Sequence, residues 1–412
     1  MKLDWLIVGG GIQGVHLAVR LLGEAGVEEL RIVDPGQRLL ECWRTCTATT
    51  GMTHLRSSSV HHLDICPWSL RDLGGDRRNC DPQLFAAPFD RPQLKLFNRH
   101  CDRVTEAYGL HERHIRARVE ACSVDEDGVR ARLSTGATVK ANHMLLALGG
   151  GERVRWPHWA PQDEARVDHV FTPGFDGWPR LEETVAVIGG GTSAVQVGLR
   201  LLRGGHRVHL VSRHAPREHQ FDWAPGWLGP KIMAQFTADR DMQRRRALMK
   251  AGRYVGSIAP DVHASLKQAL TGERLCLHRT EIDELRAHDD HLELRLSRGK
   301  TLRVDRVLLA TGFQSSRPGG AFIDDLIVSA SLPVAPCGYP IVDTHLRWHP
   351  RVWVTGALAE LELGLVARNI AGARRAATRI VSAVTGKAPA PHVALCSPEP
   401  AGTREVNAAR RS

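Results

Sequence analysis

At 412 residues, with 42% hydrophobic and 24% charged residues, the chain is long enough for two packed domains and too apolar for wholesale disorder. Its formal net charge of +10 suits anionic ligands, but the one dense basic run, QRRRALMK (243–250), lacks the interleaved aromatics of a base-stacking surface. That run reads as a solvated helix face, and no nucleic-acid partner is expected. No apolar run approaches the roughly 20 residues of a membrane span, and no secretory apolar region precedes the first glycine turn. The nine cysteines, at 42, 46, 66, 80, 101, 122, 276, 337 and 396, are odd in number and scattered, which predicts a soluble, reduced, cytoplasmic protein without a membrane partner.

WLIVGGGIQGVHLAVRLL (5–22) reads as an apolar strand, a glycine turn and an amphipathic helix. The spacing Gly9-x-Gly11-x-x-Gly14 fits a dinucleotide. The first glycine permits the tight turn, the second lets backbone approach a pyrophosphate, the third lets helix pack on strand, and the phosphates lie on the helix N-terminus. The next strand, ELRIVD, ends in Asp34, where a carboxylate can accept hydrogen bonds from the ribose diol of FAD or NAD.

RVEACSVDEDGVRARLSTGATVKANHMLLALGG (118–150) then alternates apolar and polar residues between turn signals, predicting a three-stranded meander whose last strand runs into Gly149. The whole unit recurs. VAVIGGGTSAVQVGLRLL (185–202) carries Gly189-x-Gly191-x-x-Ala194, with Ser193 inside the turn, and a second meander ends in LLATG (308–312). The duplicated unit explains a nucleotide motif in mid-chain. The second site differs in its ligand signal: its following strand ends in Ser212-Arg213, with His214 and Arg217 just beyond and no carboxylate to repel a 2′-phosphate. The planar fork of Arg213 therefore predicts NADP(H).

REHQFDWAPGWLGPKIMAQF (217–236) has no counterpart in the first half. Phe221, Trp223 and Trp227 flank Asp222, and the segment reads equally as a lid over a nicotinamide and substrate or as a packed surface loop. Histidines 54, 61 and 62 cluster without a carboxylate or cysteine at ligand spacing, so no metal is expected. Neither a Gly-x-Ser-x-Gly elbow nor a full Gly-x-x-x-x-Gly-Lys-Ser/Thr phosphate loop occurs. The tail 388–412, rich in Pro, Ala and charge, is expected to be disordered.

Two dinucleotide fingerprints, the second followed by an ATG strand end, and a C-terminal VTGALAELELGLVARNIAGARRAATRI (354–380) resemble the two-dinucleotide-binding flavoproteins. Within them the chain is similar to the flavin-containing and N-hydroxylating (lysine/ornithine-type) monooxygenases. The likeness covers about the first 385 residues. It is carried by Trp43-Arg44 with HLRSSSVHHLD (54–64), by RPQLKLFNRHCDRVTEAYGL (91–110) and by VDHVFTP (167–173), although the Phe-x-Gly part of that last linker signature is missing.

The resemblance implies an α/β fold of two Rossmann-like, three-layer ββα domains. An FAD domain of residues 1–160 and 310–387 is interrupted by an NADP(H) domain, 161–309, with an inserted loop at 217–260. It implies further cofactor contacts at Trp43, Gly149, Thr311, Gly312, Gly356 and Leu365, with a helix from Leu363 returning its N-terminus to the flavin. The implied activity is NADPH reduction of FAD and transfer of one oxygen atom from a flavin C4a-hydroperoxide to a nucleophilic nitrogen or sulfur. The substrate would be a small amine, amino acid or thioether. Substrate contacts in such proteins come from the flavin-edge loop and the inserted segment, which makes His54, Arg56 and Asp222 the candidates here.

A flavin reductase of disulfides or another acceptor is the alternative, since Cys42 and Cys46 follow soon after Asp34. Their spacing is one residue short of the helical redox pair of such reductases, and Cys276 stands alone where a second-domain pair would lie. A nucleotide-holding sensor without turnover is a third reading. Oligomeric state is left open.

Overall fold

The structure is a computed structural model that describes residues 2–75, 78, 81–151 and 153–387; the tail expected to be disordered lies outside these residues.

The first sheet has eight strands. Its parallel centre is Leu3–Val8, flanked by Leu30–Asp34 on one side and by Thr138–Leu146 on the other. Ile7 lies between Ile32 and Leu145, and all three side chains are buried, as the unbroken apolar runs demand in a sheet covered on both faces. The strand Val352–Val354, from the far end of the chain, pairs with Thr138–Leu146, and Arg347–His349 forms the edge beyond it. Helix Ile12–Glu24 covers one face and packs against the C-terminal helix Ile370–Thr385.

The second sheet is five-stranded and parallel, in the order 275–279, 207–212, 184–188, 306–309, 167–169. Both predicted meanders form, with different outcomes. The first merges with its sheet because Thr138–Leu146 is continuous, its early residues pairing with Gly128–Leu133 and its later ones with the central strand. The second stands alone as 282–287, 292–296 and 301–304. There the chain breaks at Asp305, whose backbone N–H donates to Thr184 O and whose carboxylate accepts from Thr184 N.

The chain crosses between the sheets twice, and the crossings lie side by side. Arg155 N donates to Gly312 O at 2.8 Å and Gln314 N to Arg153 O at 2.9 Å. Phe313 stacks on Phe171 with ring centroids 5.1 Å apart.

Three expectations need correction. The C-terminal helix does not start at Leu363: a separate turn, Gly364–Arg368, precedes the helix Ile370–Thr385. Gly364, with φ +70°, breaks the backbone, and Asn369 begins the new helix by accepting from Gly372 N. The basic run is not a wholly solvated face. Arg245 is buried and bonds Glu362 at 3.0 Å, and Arg246 bonds Glu360; Arg244 alone of the three remains well exposed. The thiols are not uniformly reduced, for Cys66 is disulfide-bonded. Among the described residues no helix is long and apolar enough to cross a membrane.

Candidate functional site

The first fingerprint forms a cradle. A Cβ on Gly9, whose φ is +111°, would lie 2.5 Å from Ala147 O, and one on Gly14 would lie 1.9 Å from Gly9 O. Both glycines are therefore required by close backbone approach. Gly11 is different: a Cβ there meets nothing within 4 Å. Helix Ile12–Glu24 begins at Gly11 with no side-chain cap and no acidic residue in its first turn, leaving its amino-terminal N–H groups for an anion. Asp34 stands at the strand end with Oδ2 accepting from Gly10 N at 2.7 Å and Oδ1 from Gly36 N at 2.8 Å. Each oxygen keeps a lone pair for a ribose hydroxyl. The residues present fit a dinucleotide.

A residue that motif reading missed joins this cradle to the far end of the chain. Gln13 Nε2 donates to Ala367 O and Asn369 O, both at 3.0 Å, and its Oε1 accepts from Thr355 Oγ1 at 2.8 Å. Gly356, with φ +61°, sits beside it; a Cβ there would lie 3.2 Å from Gln13 Cγ. The only signal in sequence was an amide side chain at a variable position of the fingerprint. Leu365 turns its side chain away from this junction, into an apolar cluster with Trp227 and Met249.

The second fingerprint repeats the geometry. Gly189 has φ +152° and would place a Cβ 2.5 Å from Ala310 O. Helix Thr192–Arg203 starts at Gly191 without a side-chain cap, Ala194 is buried against the strand, and Ser193 lies in the first turn. Here the inserted segment forms a wall. A Cβ on Gly191 would lie 3.4 Å from Gly256 Cα, and Thr192 Oγ1 donates to Ser257 O at 2.9 Å. Arg213 is exposed at its strand end, while Ser212 is buried and donates to His214 O. Thr311 and the open Gly312, with φ +80°, lie on the return crossing, and the exposed Gly149 on the outward one.

The three substrate-contact candidates separate into a pair and an outlier. Arg56 Nη1 meets Asp222 Oδ1 at 2.5 Å, while the same guanidinium donates to Gln220 O, His219 O and Ser257 Oγ. The loop at 54–64 and the insert are thereby latched. Two further arginines span the same interface: Arg91 bonds Asp261 at 3.2 Å, and Arg200 donates to Ala48 O and Thr49 O. His54 lies apart, half-buried beside Gln93, with burial and then Arg91 lowering its pKa. Trp43 packs on Phe97 and donates from Nε1 to Asn98 Oδ1 at 3.1 Å.

The insert is a packed subdomain rather than an open flap. Trp223, Trp227, Met233, Phe236 and Met249 are buried with Tyr339, Leu361, Leu365 and Val366. Phe221 packs on Phe89, with centroids 5.3 Å apart. Cys42 and Cys46 share one helix, Glu41–Thr50, and their thiols touch: the hydrogen bond to Cys42, followed by burial, raises the Cys46 pKa. Among the described residues no group of three His, Cys, Asp or Glu could hold a metal ion.

The family described as pyridine nucleotide-disulphide oxidoreductase matches residues 6–244, and a second, described as FAD-NAD(P)-binding, matches residues 227–314. Pentalenolactone D synthase of Streptomyces arenae is 23% identical over 232 residues, 52% of this chain. The matched stretch is only 36% of that relative's length. Among solved structures, the cadaverine monooxygenase of Erwinia amylovora, bound to FAD, has TM-score 0.74 at 17% identity, covering 98% of this chain and 100% of its own. The ornithine N-hydroxylase of Kutzneria sp. 744, with reduced FAD, NADP⁺ and L-ornithine, has TM-score 0.71 at 18% identity, covering 93% and 99%. The bacillithiol disulfide reductase of Bacillus cereus has TM-score 0.62 at 17% identity, covering 94% and 99%. At these identities the likeness establishes the fold: two dinucleotide-binding domains in one chain.

Proposed function

The chain belongs to the pyridine nucleotide-disulphide oxidoreductase family, and from that premise we propose an FAD-dependent, NADPH-using monooxygenase that transfers one oxygen atom to a nucleophilic nitrogen or sulfur of a small molecule. The observation that carries the reading is the asymmetry of two uncapped glycine cradles, one ending in the carboxylate Asp34 and the other in the exposed guanidinium of Arg213. FAD suits the first and the 2′-phosphate of NADP(H) the second.

Bound FAD supplies a hydride acceptor and a reduced centre able to activate dioxygen. The remaining roles fall to the chain. Gly9, Gly11 and Gly14 admit the pyrophosphate, Asp34 takes the ribose, and Gln13 with Thr355 fixes the Gly356 segment beside it. Gly189, Gly191, Ser193, Ala194 and Arg213 take the second nucleotide, with Gly256 and Ser257 as its wall. Trp43, Gly149, Thr311, Gly312 and the backbone of Leu365 complete the cofactor surround. Arg56, Asp222, Arg91 and Arg200 hold the domains together. His54 stands at the loop edge as a substrate contact.

The solved neighbours named for ornithine and cadaverine support an amine or amino acid within the expected class of amine, amino acid or thioether. The disulfide-reductase reading has one observation in its favour, the touching thiols of Cys42 and Cys46. The spacing of the two thiols, one residue short of the helical pair of such reductases, weakens it. The test is NADPH oxidation by the purified flavoprotein with candidate substrates: oxygenated product formed in step with NADPH supports the reading, and the same rates with a disulfide reduced instead refute it.

A further inference from the structure

A cavity of about 650 Å³ opens between three elements, away from the glycines of both cradles. These are the loop around Val60 and His61, the insert from Leu228 to Met233, and the C-terminal helix, which turns Arg374, Arg375 and Arg379 toward it. Its volume is that of a small-molecule site. The walls divide cleanly by chemistry. Leu228, Met233 and Leu363 make an apolar floor, while the polar lining is dominated by guanidinium and, among the described residues, contains no carboxylate.

The arginines are held firmly and are not saturated. Arg374 Nη1 donates to His62 O and Asp64 O, Arg375 donates to Trp227 O and Leu228 O, and Arg379 Nη1 donates to Glu362 Oε1 and Thr344 O. A guanidinium carries five N–H donors, so each keeps donors for a ligand. Only Arg379 is neutralised directly, through a carboxylate it shares with Arg245. His61 adds a fourth polar group: its Nδ1 is buried and has no hydrogen-bond partner. Burial, then Arg374 and Arg375, pushes its pKa down to about 4, so the ring is neutral near pH 7 and can meet a ligand without adding charge.

We propose that this cavity binds a small carboxylate with an apolar body, its anionic end on Arg374, Arg375 and Arg379 and its other end toward Leu363. Leu363 lies two residues before Leu365 in the segment that begins at Gly356, so a ligand anchored this way presents its far end to the part of the chain assigned to the flavin. That it is the substrate rests on the oxygenase reading above; that it binds does not. The substrate class is thereby narrowed to nitrogen or sulfur nucleophiles bearing a carboxylate. A diamine is disfavoured by the guanidiniums of Arg374 and Arg375, which no carboxylate among the described residues bonds directly.

The experiment uses the flavin-loaded protein and three thioethers of equal length: 3-(methylthio)propanoate, 3-(methylthio)propan-1-ol and 3-(methylthio)propylamine. Binding is measured by calorimetry, independently of turnover. The carboxylate is expected to bind at least about tenfold more tightly than the alcohol, with the amine weakest. Arg375→Gln should weaken the carboxylate about tenfold or more while leaving the alcohol little changed. Met233→Trp, which fills the cavity without altering charge, should weaken both. Equal binding of the three probes, preference for the amine, or variants within twofold of wild type would each overturn the proposal. Carboxylate binding without any oxygen transfer would overturn the oxygenase reading alone, and oxygen transfer to the amine without carboxylate binding would overturn the anion site alone.

Discussion

Thr355 donates its hydroxyl to Gln13 Oε1 at 2.8 Å, across 342 positions of sequence. Thr355 is fully buried, and the same glutamine amide closes onto two carbonyls at 3.0 Å. Gln13→Leu would leave a buried hydroxyl and two carbonyls without their partner, at about 1–3 kcal/mol for each group left unsatisfied. The expected outcome is a lower Tm with weakened flavin retention, read by thermal unfolding and by flavin content after gel filtration. Thr355→Val should reproduce part of the loss.

Gly11 faces open space, so Gly11→Val strains no neighbour but fills the volume reserved for the pyrophosphate. The folded protein should be recovered without flavin. Far-ultraviolet circular dichroism and the visible absorbance of the purified protein check the two halves of this statement separately.

Arg213→Ala should lower the NADPH preference in anaerobic flavin reduction by about tenfold to a hundredfold, the loss of one charge-assisted phosphate contact. The NADH rate should be nearly unchanged. Equal use of both nucleotides by the unmodified protein would count against the assignment of the second cradle.

Glu362 accepts from the buried Arg245 at 3.0 Å and from Arg379 at 2.8 Å. Glu362→Leu leaves Arg245 buried without its counter-charge and should cost about 3–5 kcal/mol. The exposed ion pair of Arg132 with Glu120 makes the contrast: Glu120→Ala should change stability by less than about 1 kcal/mol. Urea unfolding of the two variants measures both.

Acid should destabilise the fold within a defined window. His61, His100 and His169 are each pushed down to about 4, primarily by burial. In the unfolded chain they take up protons near pH 6.5 while the native state does not, so stability is full above that pH and falls as pH drops toward 4. Each contributes about 1–2 kcal/mol of the loss at pH 5. Tm measured from pH 8 to pH 4.5 should be flat at the upper end and decline below about pH 6.5.

The parts of this fold that are readable in sequence are those fixed by local stereochemistry. Gly9 and Gly189 must be glycine because each approaches a backbone carbonyl within 2.5 Å of where a Cβ would stand, and that constraint leaves a spacing in the sequence. Asp34 and Arg213 are readable because a strand end has a fixed place relative to such a turn. Contacts across long separations leave no such trace. Arg245 and Arg246 read as solvated because their partners, Glu362 and Glu360, lie more than a hundred residues away. Arg56 and Asp222 each read as a substrate contact, and nothing in either segment indicates that they bond each other. Gly364 and Asn369 signal the late start of the C-terminal helix, but the apolar run through Leu363, Leu365 and Val366, all buried, reads as one continuous amphipathic stretch and masks the break.

The central claim, oxygen transfer driven by NADPH, is tested most directly by turnover under ¹⁸O₂ with 3-(methylthio)propanoate and with a set of amines and amino acids, following NADPH, peroxide and product together. The account predicts a product carrying one ¹⁸O atom per NADPH consumed for at least one nucleophile, with peroxide the minor fate of oxygen. Recovery of all the reducing equivalents as peroxide with every nucleophile, or as thiol when a disulfide is supplied, would contradict it.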